Sequence, residues 1–103
     1  MVKSVVPNEF KSEIASGVAV VDFSATWCGP CKMLAPVFEE LGKEMEGKAK
    51  FFKADVDECS KIALEFKVVS VPTIKIFKDG EVVDTMVGFS PKEVIKAKIE
   101  AHI

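Results

Sequence analysis

Hydrophobic residues along this chain change their spacing several times, and each change marks a boundary between elements. Residues 18–23 are almost continuously apolar, as a strand buried on both faces should be. Residues 2–6 are short and partly β-branched, which predicts an edge strand. Asn8 is placed to cap a short helix in which Phe10 and Ile14 share a face, with Gly17 as its end. From Cys31 to about Met45, the residues Leu34, Val37, Phe38, Leu41 and Met45 recur at helical spacing, with Glu39 and Lys43 as an outward ion pair. Pro36 lies inside that helix and cannot donate to the Lys32 carbonyl, so a kink is expected one turn after the cysteines.

Further along, residues 51–55 read as a strand, and Cys59, Ile62, Ala63 and Phe66 form the stripe of a short helix. Residues 73–78 and 81–87 are strand-like runs separated by Asp79-Gly80 alone, a hairpin signal. Ser90, Pro91 and Glu93 predict a capping box for a final helix with Val94, Ile95 and Ile99 on its apolar side. The order βαβαβαββα implies an α/β fold with a mixed sheet, parallel crossovers first and an antiparallel hairpin last, and helices on both faces.

No repeat or linker interrupts the 103 residues, so a single domain spanning 1–103 is expected, with a radius of gyration of roughly 13 Å. Lysine and arginine number 14 against 16 acids, a balance that argues against nucleic-acid binding. The longest aliphatic run, residues 18–21, falls far short of the ~20 residues that span a bilayer. Residues 1–10 carry neither an apolar stretch nor a cleavage signature, so the expected location is the cytoplasm, with no membrane partner.

That setting makes the three cysteines informative, because an odd number cannot pair completely and structural disulfides are unusual in a reducing compartment. Cys59 stands alone, whereas Cys28 and Cys31 lie three apart in Trp27-Cys28-Gly29-Pro30-Cys31, where a buried strand gives way to a helix. Unpaired N–H groups and the positive end of the dipole favour thiolate at such a site. Cys28, nearest the helix terminus, is expected to be the more exposed sulfur and the attacker. Cys31, one turn on, can close a Cys28–Cys31 redox disulfide. Gly29 and Pro30 suit the tight turn into the helix. A zinc site would need four ligands, and only Cys59 and His102 remain without finger-like spacing, so no metal is expected.

At these residues the chain resembles the thioredoxin family, and the likeness runs from end to end. It is carried by Val21-Asp22-Phe23, Trp27-Cys28-Gly29-Pro30-Cys31-Lys32, and Pro36 nine residues after Trp27. It continues through Asp55-Val56-Asp57-Glu58, Ser70-Val71-Pro72-Thr73, Phe77-Lys78-Asp79-Gly80 and Gly88. Through Asp55-Val56-Asp57-Glu58-Cys59 the chain resembles eukaryotic-type members most. The resemblance implies a five-stranded sheet in the order 1-3-2-4-5 flanked by four helices. It also implies a cofactor-free, monomeric protein disulfide reductase recharged by a thioredoxin reductase. Implied substrates are disulfide-containing proteins such as peroxiredoxin, ribonucleotide reductase and methionine sulfoxide reductase. The Gly29-Pro30 dipeptide resembles the reducing branch of the family. A disulfide oxidase or isomerase is the alternative within the same chemistry, and a non-catalytic binding subunit is the alternative outside it.

The resemblance also decides between readings of single residues. Asp22 is either a strand-end acid with its head in water or a desolvated carboxylate that exchanges protons with Cys31, and the family pattern favours the second. Lys53 is then its charge partner. The Val71-Pro72 bond is expected to be cis and to lie beside the cysteines, presenting the Val71 backbone to an extended substrate segment. Gly88 would admit the substrate chain closely, and Trp27 would form an apolar rim. Ser24 departs from the aromatic residue that many relatives carry, and is expected to loosen packing beneath the active-site loop; Thr26 sits at a variable position. Cys59 reads as a buried small hydrophobe, and His102 as a solvated residue.

Overall fold

The computed structural model describes residues 1–103. Its strands are β1 (Val2–Ser4), β2 (Val18–Ser24), β3 (Lys50–Asp55), β4 (Thr73–Lys78) and β5 (Glu81–Val87). Its helices are α1 (Phe10–Glu13), α2 (Gly29–Glu44), α3 (Ser60–Glu65) and α4 (Lys92–Glu100), with a short 3-10 turn at Pro7–Glu9. The strands form one sheet in the order β1-β3-β2-β4-β5. β3 runs parallel to both β1 and β2, whereas β4 runs antiparallel to β2 and to β5. The radius of gyration is 12.1 Å.

β2 is the central strand, and all seven of its residues are buried. Because side chains alternate across a strand, it feeds two cores at once. Val18 and Val20 join Leu34, Phe38 and Leu41 of α2 and Ile95 and Ile99 of α4 on one face. Ala19, Val21 and Phe23 join Phe10, Ile62 and Phe77 on the other. There Phe10 meets Phe66 and Phe77 edge-on, with ring centroids 5.7 Å apart in each pair. Burial of each such ring contributes about 1.5–3 kcal/mol, which is what holds the very short α1 against the sheet.

The Asp79-Gly80 turn has the left-handed geometry that its sequence predicts, with φ of 51° and 90°. The turn is also tied to the start of β2, since the Gly17 N–H donates to Asp79 Oδ1 and the Asp79 N–H to the Gly17 carbonyl. The β4–β5 register shifts at Ile76/Phe77, an irregularity that the alternation pattern does not show. α2 runs unbroken through Pro36 and begins at Gly29, two residues earlier than the apolar spacing suggests.

Several helix-end expectations are corrected. Asn8 is no cap, because Pro7 starts the 3-10 turn first and Val6 takes the cap position without a side-chain bond. The capping box at Ser90 does not form. Pro91 stays extended with ψ 155°, caps α4 itself, and its carbonyl accepts from Val94 and Ile95. Val94 faces outward while Ile95 and Ile99 are fully buried. Glu39 and Lys43 do not pair, because both have water as an alternative. Instead Glu40 and Glu44 bond Lys92 at 2.9 and 2.6 Å, linking α2 to α4, and these contacts draw the Lys92 pKa upward.

Candidate active site at the start of the second helix

The chain leaves β2, turns over Ala25–Trp27, and enters α2 with Cys28 as the N-cap residue at φ −96° and ψ 118°. Its sulfur does what a serine or aspartate oxygen does at an ordinary N-cap: Cys28 Sγ accepts the Cys31 N–H at 3.2 Å. Gly29 and Pro30 occupy the first two helical positions, where Pro30 forfeits no intrahelical bond. Cys31 follows one turn in.

Both sulfurs are buried, and both cysteines are free thiols. Cys28 is 6% exposed and Cys31 4%, so the expectation of a markedly more exposed Cys28 is corrected. Ala25, Val56 and Val71 pack around the pair and cover both. The two sulfurs differ in partners rather than in exposure. Cys28 Sγ faces the Val71 carbonyl at 3.7 Å, on the side where the Val71–Pro72 bond is cis. Cys31 borders a crevice of about 350 Å³, together with Ser24, Thr26, Lys32, Lys53 and Asp55. Burial pushes the Cys31 thiol up to about 11, and the hydrogen bond with Cys28 and the Asp22 charge push the same way. Ser24 is buried and borders this crevice.

Asp22 lies on the β2 face that turns toward α2, in register with Lys53 of β3. It is 1% exposed, and its Oδ1 has no hydrogen-bond partner. Burial pushes its carboxyl up to about 6, with the Lys53 ammonium opposing the shift. Across the site, the Gly88 N–H donates to the Pro72 carbonyl at 2.8 Å, and Gly88 has φ 87° with open space where a Cβ would stand. Trp27 is 69% exposed, and its Nε1–H donates to Asp57 Oδ2 at 3.1 Å. Cys28, Cys31, Asp22, Lys53, Val71, Pro72, Gly88 and Trp27 are thus drawn to one end of the sheet by β2, β3, β4, the end of β5 and the start of α2. No group of three metal-ligating side chains is assembled anywhere in the chain.

The thioredoxin family model matches residues 1–101. The chain belongs to the thioredoxin family. It is 54% identical over 99 residues to a thioredoxin of Staphylococcus saprophyticus, covering 96% of this chain and 95% of that one. It is 53% identical over 95 residues to a thioredoxin of Staphylococcus aureus, covering 92% and 91%. A crystal structure of a Malassezia sympodialis thioredoxin superposes with a TM-score of 0.91 at 42% identity, over 98% of this chain and 92% of that one. Bacterial and fungal members both match, the staphylococcal ones at higher identity than the fungal one. As a member of this family the chain is a thiol–disulfide oxidoreductase, working through a redox-active dithiol on disulfide-containing protein substrates. No helix is long and apolar enough to cross a membrane.

Two residues lie outside this constellation. Cys59 is 2% exposed, packs with Ala54 and Ile62 under α3, and has its thiol pushed up by burial. In the native protein iodoacetamide should therefore label Cys59 far more slowly than in urea, and Cys59→Ala should leave turnover unchanged. Native labelling as fast as in urea would show instead that the thiol is open to solvent. His102 is not the solvated residue that its place near the C-terminus suggests. Its Nε2 lies 3.2 Å from Asp84 Oδ2, a contact that holds the Asp84 carboxyl low.

The sequence reading missed Asp57 as a site residue, although it lies within a motif that the resemblance uses. Nothing local signals a partner 30 residues away for an acid on a turn.

Proposed function

We propose that Cys28 is the nucleophile and Cys31 the resolving thiol of a cytoplasmic, monomeric protein disulfide reductase acting as a single domain, with Asp22 as the proton acceptor of Cys31. The observation that carries this assignment is the Cys31 N–H on Cys28 Sγ, which singles out one of two equally buried sulfurs as the one that caps the helix. The Cys28 thiolate attacks a target disulfide; a bond forms from Cys28 Sγ to one target sulfur, and the other leaves as a thiolate. Asp22 then takes the Cys31 proton, directly or through one water. The Cys31 sulfur attacks Cys28 Sγ, closing Cys28–Cys31 and releasing the second target thiolate. Lys53 limits the cost of the Asp22 charge between turnovers.

Trp27, Gly29, Pro30, Val71, Pro72 and Gly88 make the substrate surface around the sulfurs. The Val71 backbone offers strand-like pairing to an extended segment, and the space over Gly88 lets that segment approach. A thioredoxin reductase restores the dithiol, and peroxiredoxin, ribonucleotide reductase and methionine sulfoxide reductase are the expected kinds of target. With dithiothreitol as reductant, the protein should accelerate insulin precipitation, and a Cys28→Ala/Cys31→Ala double variant should not. Equal acceleration by the double variant would overturn the assignment.

A further inference from the structure

The chain passes from α3 to β4 through residues 69–71, and none of these makes a main-chain hydrogen bond. Val71 lies in this stretch, beside the sulfurs. Its carbonyl faces Cys28 Sγ at 3.7 Å, and one residue on the Pro72 carbonyl accepts from the Gly88 N–H at 2.8 Å. What ties the stretch to the sheet is a side chain: Thr73 Oγ1–H donates to the Ser70 carbonyl at 2.7 Å. Thr73 is the first residue of β4, in register with Phe23 of β2 and Val87 of β5, and it is 3% exposed. Its hydroxyl therefore reaches back across Val71 and Pro72 from inside the sheet. On stability grounds alone valine would suit this place better. It has the same shape, a high strand preference and no hydroxyl to desolvate.

We propose that Thr73 is a positioning residue whose hydroxyl latches the Ser70 carbonyl and so holds the Val71 backbone ready for an extended substrate segment. The proposal rests on the reading of Val71 as a strand-like pairing partner. Such pairing needs N–H and C=O groups at a fixed spacing and direction. A stretch without main-chain bonds of its own would take up that geometry only on binding, and the ordering would weaken capture; a latch already closed avoids that loss. The Cys28 contact cannot serve instead. It is long, and Cys28 gives up the proton it donates when it becomes the attacking thiolate. The effect of the latch therefore falls on peptide capture and not on sulfur chemistry.

The test uses the pre-reduced protein and a short peptide whose central cysteine is held as a mixed disulfide with nitrothiobenzoate. Cys28 bonds the peptide sulfur, nitrothiobenzoate leaves as a coloured thiolate, and its release gives the capture rate. A second peptide is N-methylated at the amides flanking its cysteine, and the symmetric disulfide of nitrothiobenzoate serves as a substrate without a peptide backbone. In the wild type, N-methylation should slow capture roughly two- to tenfold, the range of one lost hydrogen bond. Thr73→Val should slow capture of the plain peptide by a similar factor, and change the methylated peptide and the small disulfide by less than about twofold, because the two changes remove the same interaction. Thr73→Ser, which keeps the hydroxyl, should restore the plain peptide; Thr73→Ala replaces Thr73→Val should the valine protein not fold. Wild-type capture by Thr73→Val would overturn the proposal. So would an equal loss with all substrates, which is the mark of general damage, or a Thr73→Ser protein as slow as Thr73→Val. If Thr73→Val keeps the full N-methylation penalty, pairing at Val71 stands and the positioning role falls. Equal capture of the two peptides by the wild type overturns both.

Discussion

Cys31→Ser should accumulate a covalent mixed disulfide with its protein substrate, whereas Cys28→Ser should neither form adducts nor turn over. Exposure does not separate the two thiols, since each is at least nine-tenths buried. Position does. Cys28 Sγ sits at the helix cap, beside the Val71 carbonyl on the proposed substrate side. Cys31 lies one turn inside, where burial pushes its thiol up and disfavours the thiolate that would begin the exchange. Once Cys28 is bonded to a target sulfur, Cys31 becomes an intramolecular nucleophile with a large effective concentration. Serine at position 31 removes that step and leaves only slow release by external thiols. Adducts should appear on a non-reducing gel and dissolve in dithiothreitol. Their formation by Cys28→Ser in place of Cys31→Ser would reverse the assignment.

Asp22→Ala should make the protein more stable at pH 8 and slower at pH 7. The Asp22 carboxyl is pushed up to about 6 in the folded state, against an ordinary value of 3.8. Below about pH 3 the carboxyl is protonated in both folded and unfolded chains, and it has no effect on stability. As pH rises from 4 to 6 the unfolded chain ionises first, and the penalty grows. Above about pH 7 it is complete, at about 3 kcal/mol. The alanine variant escapes that penalty, so its advantage in urea unfolding should be largest at pH 8 and vanish near pH 3. In the wild type the carboxylate is available as a base at pH 7 and is lost as pH falls through about 6. Without it, resolution of the mixed disulfide should slow roughly ten- to a hundredfold, within the low range for a general base. An Asp22→Ala protein that unfolds more easily at pH 8 and resolves at the wild-type rate would remove both the desolvation argument and the proton-acceptor role.

Much of this architecture is legible because it is local. The continuous apolar run of β2, the Asp79-Gly80 turn and the stripe of α2 each declare themselves within a few residues. Their order leaves few sheet topologies open, since parallel crossovers and short hairpins restrict which strands become neighbours. Helix ends are less legible because caps are decided by small competing preferences. At Asn8 and Ser90 an adjacent proline takes the start of the helix, through its fixed φ and missing N–H.

The Cys28-Gly29-Pro30-Cys31 motif, its place between a buried strand and a helix, and the central position of Asp22 in an apolar run were determined by the sequence alone, because short-range geometry links them. The tertiary structure decided how those groups behave. Val56 and Val71, brought in from distant segments, bury Cys28 as deeply as Cys31 and cancel the exposure difference that position in the helix suggests. The packing of β2 against α2 leaves Asp22 Oδ1 without a partner and raises its affinity for a proton. Asp57 reaches Trp27, and Asp84 reaches His102, only because the sheet joins elements far apart in the chain. Desolvation and long-range hydrogen bonding depend on everything that surrounds a side chain, and no window of the sequence contains those surroundings.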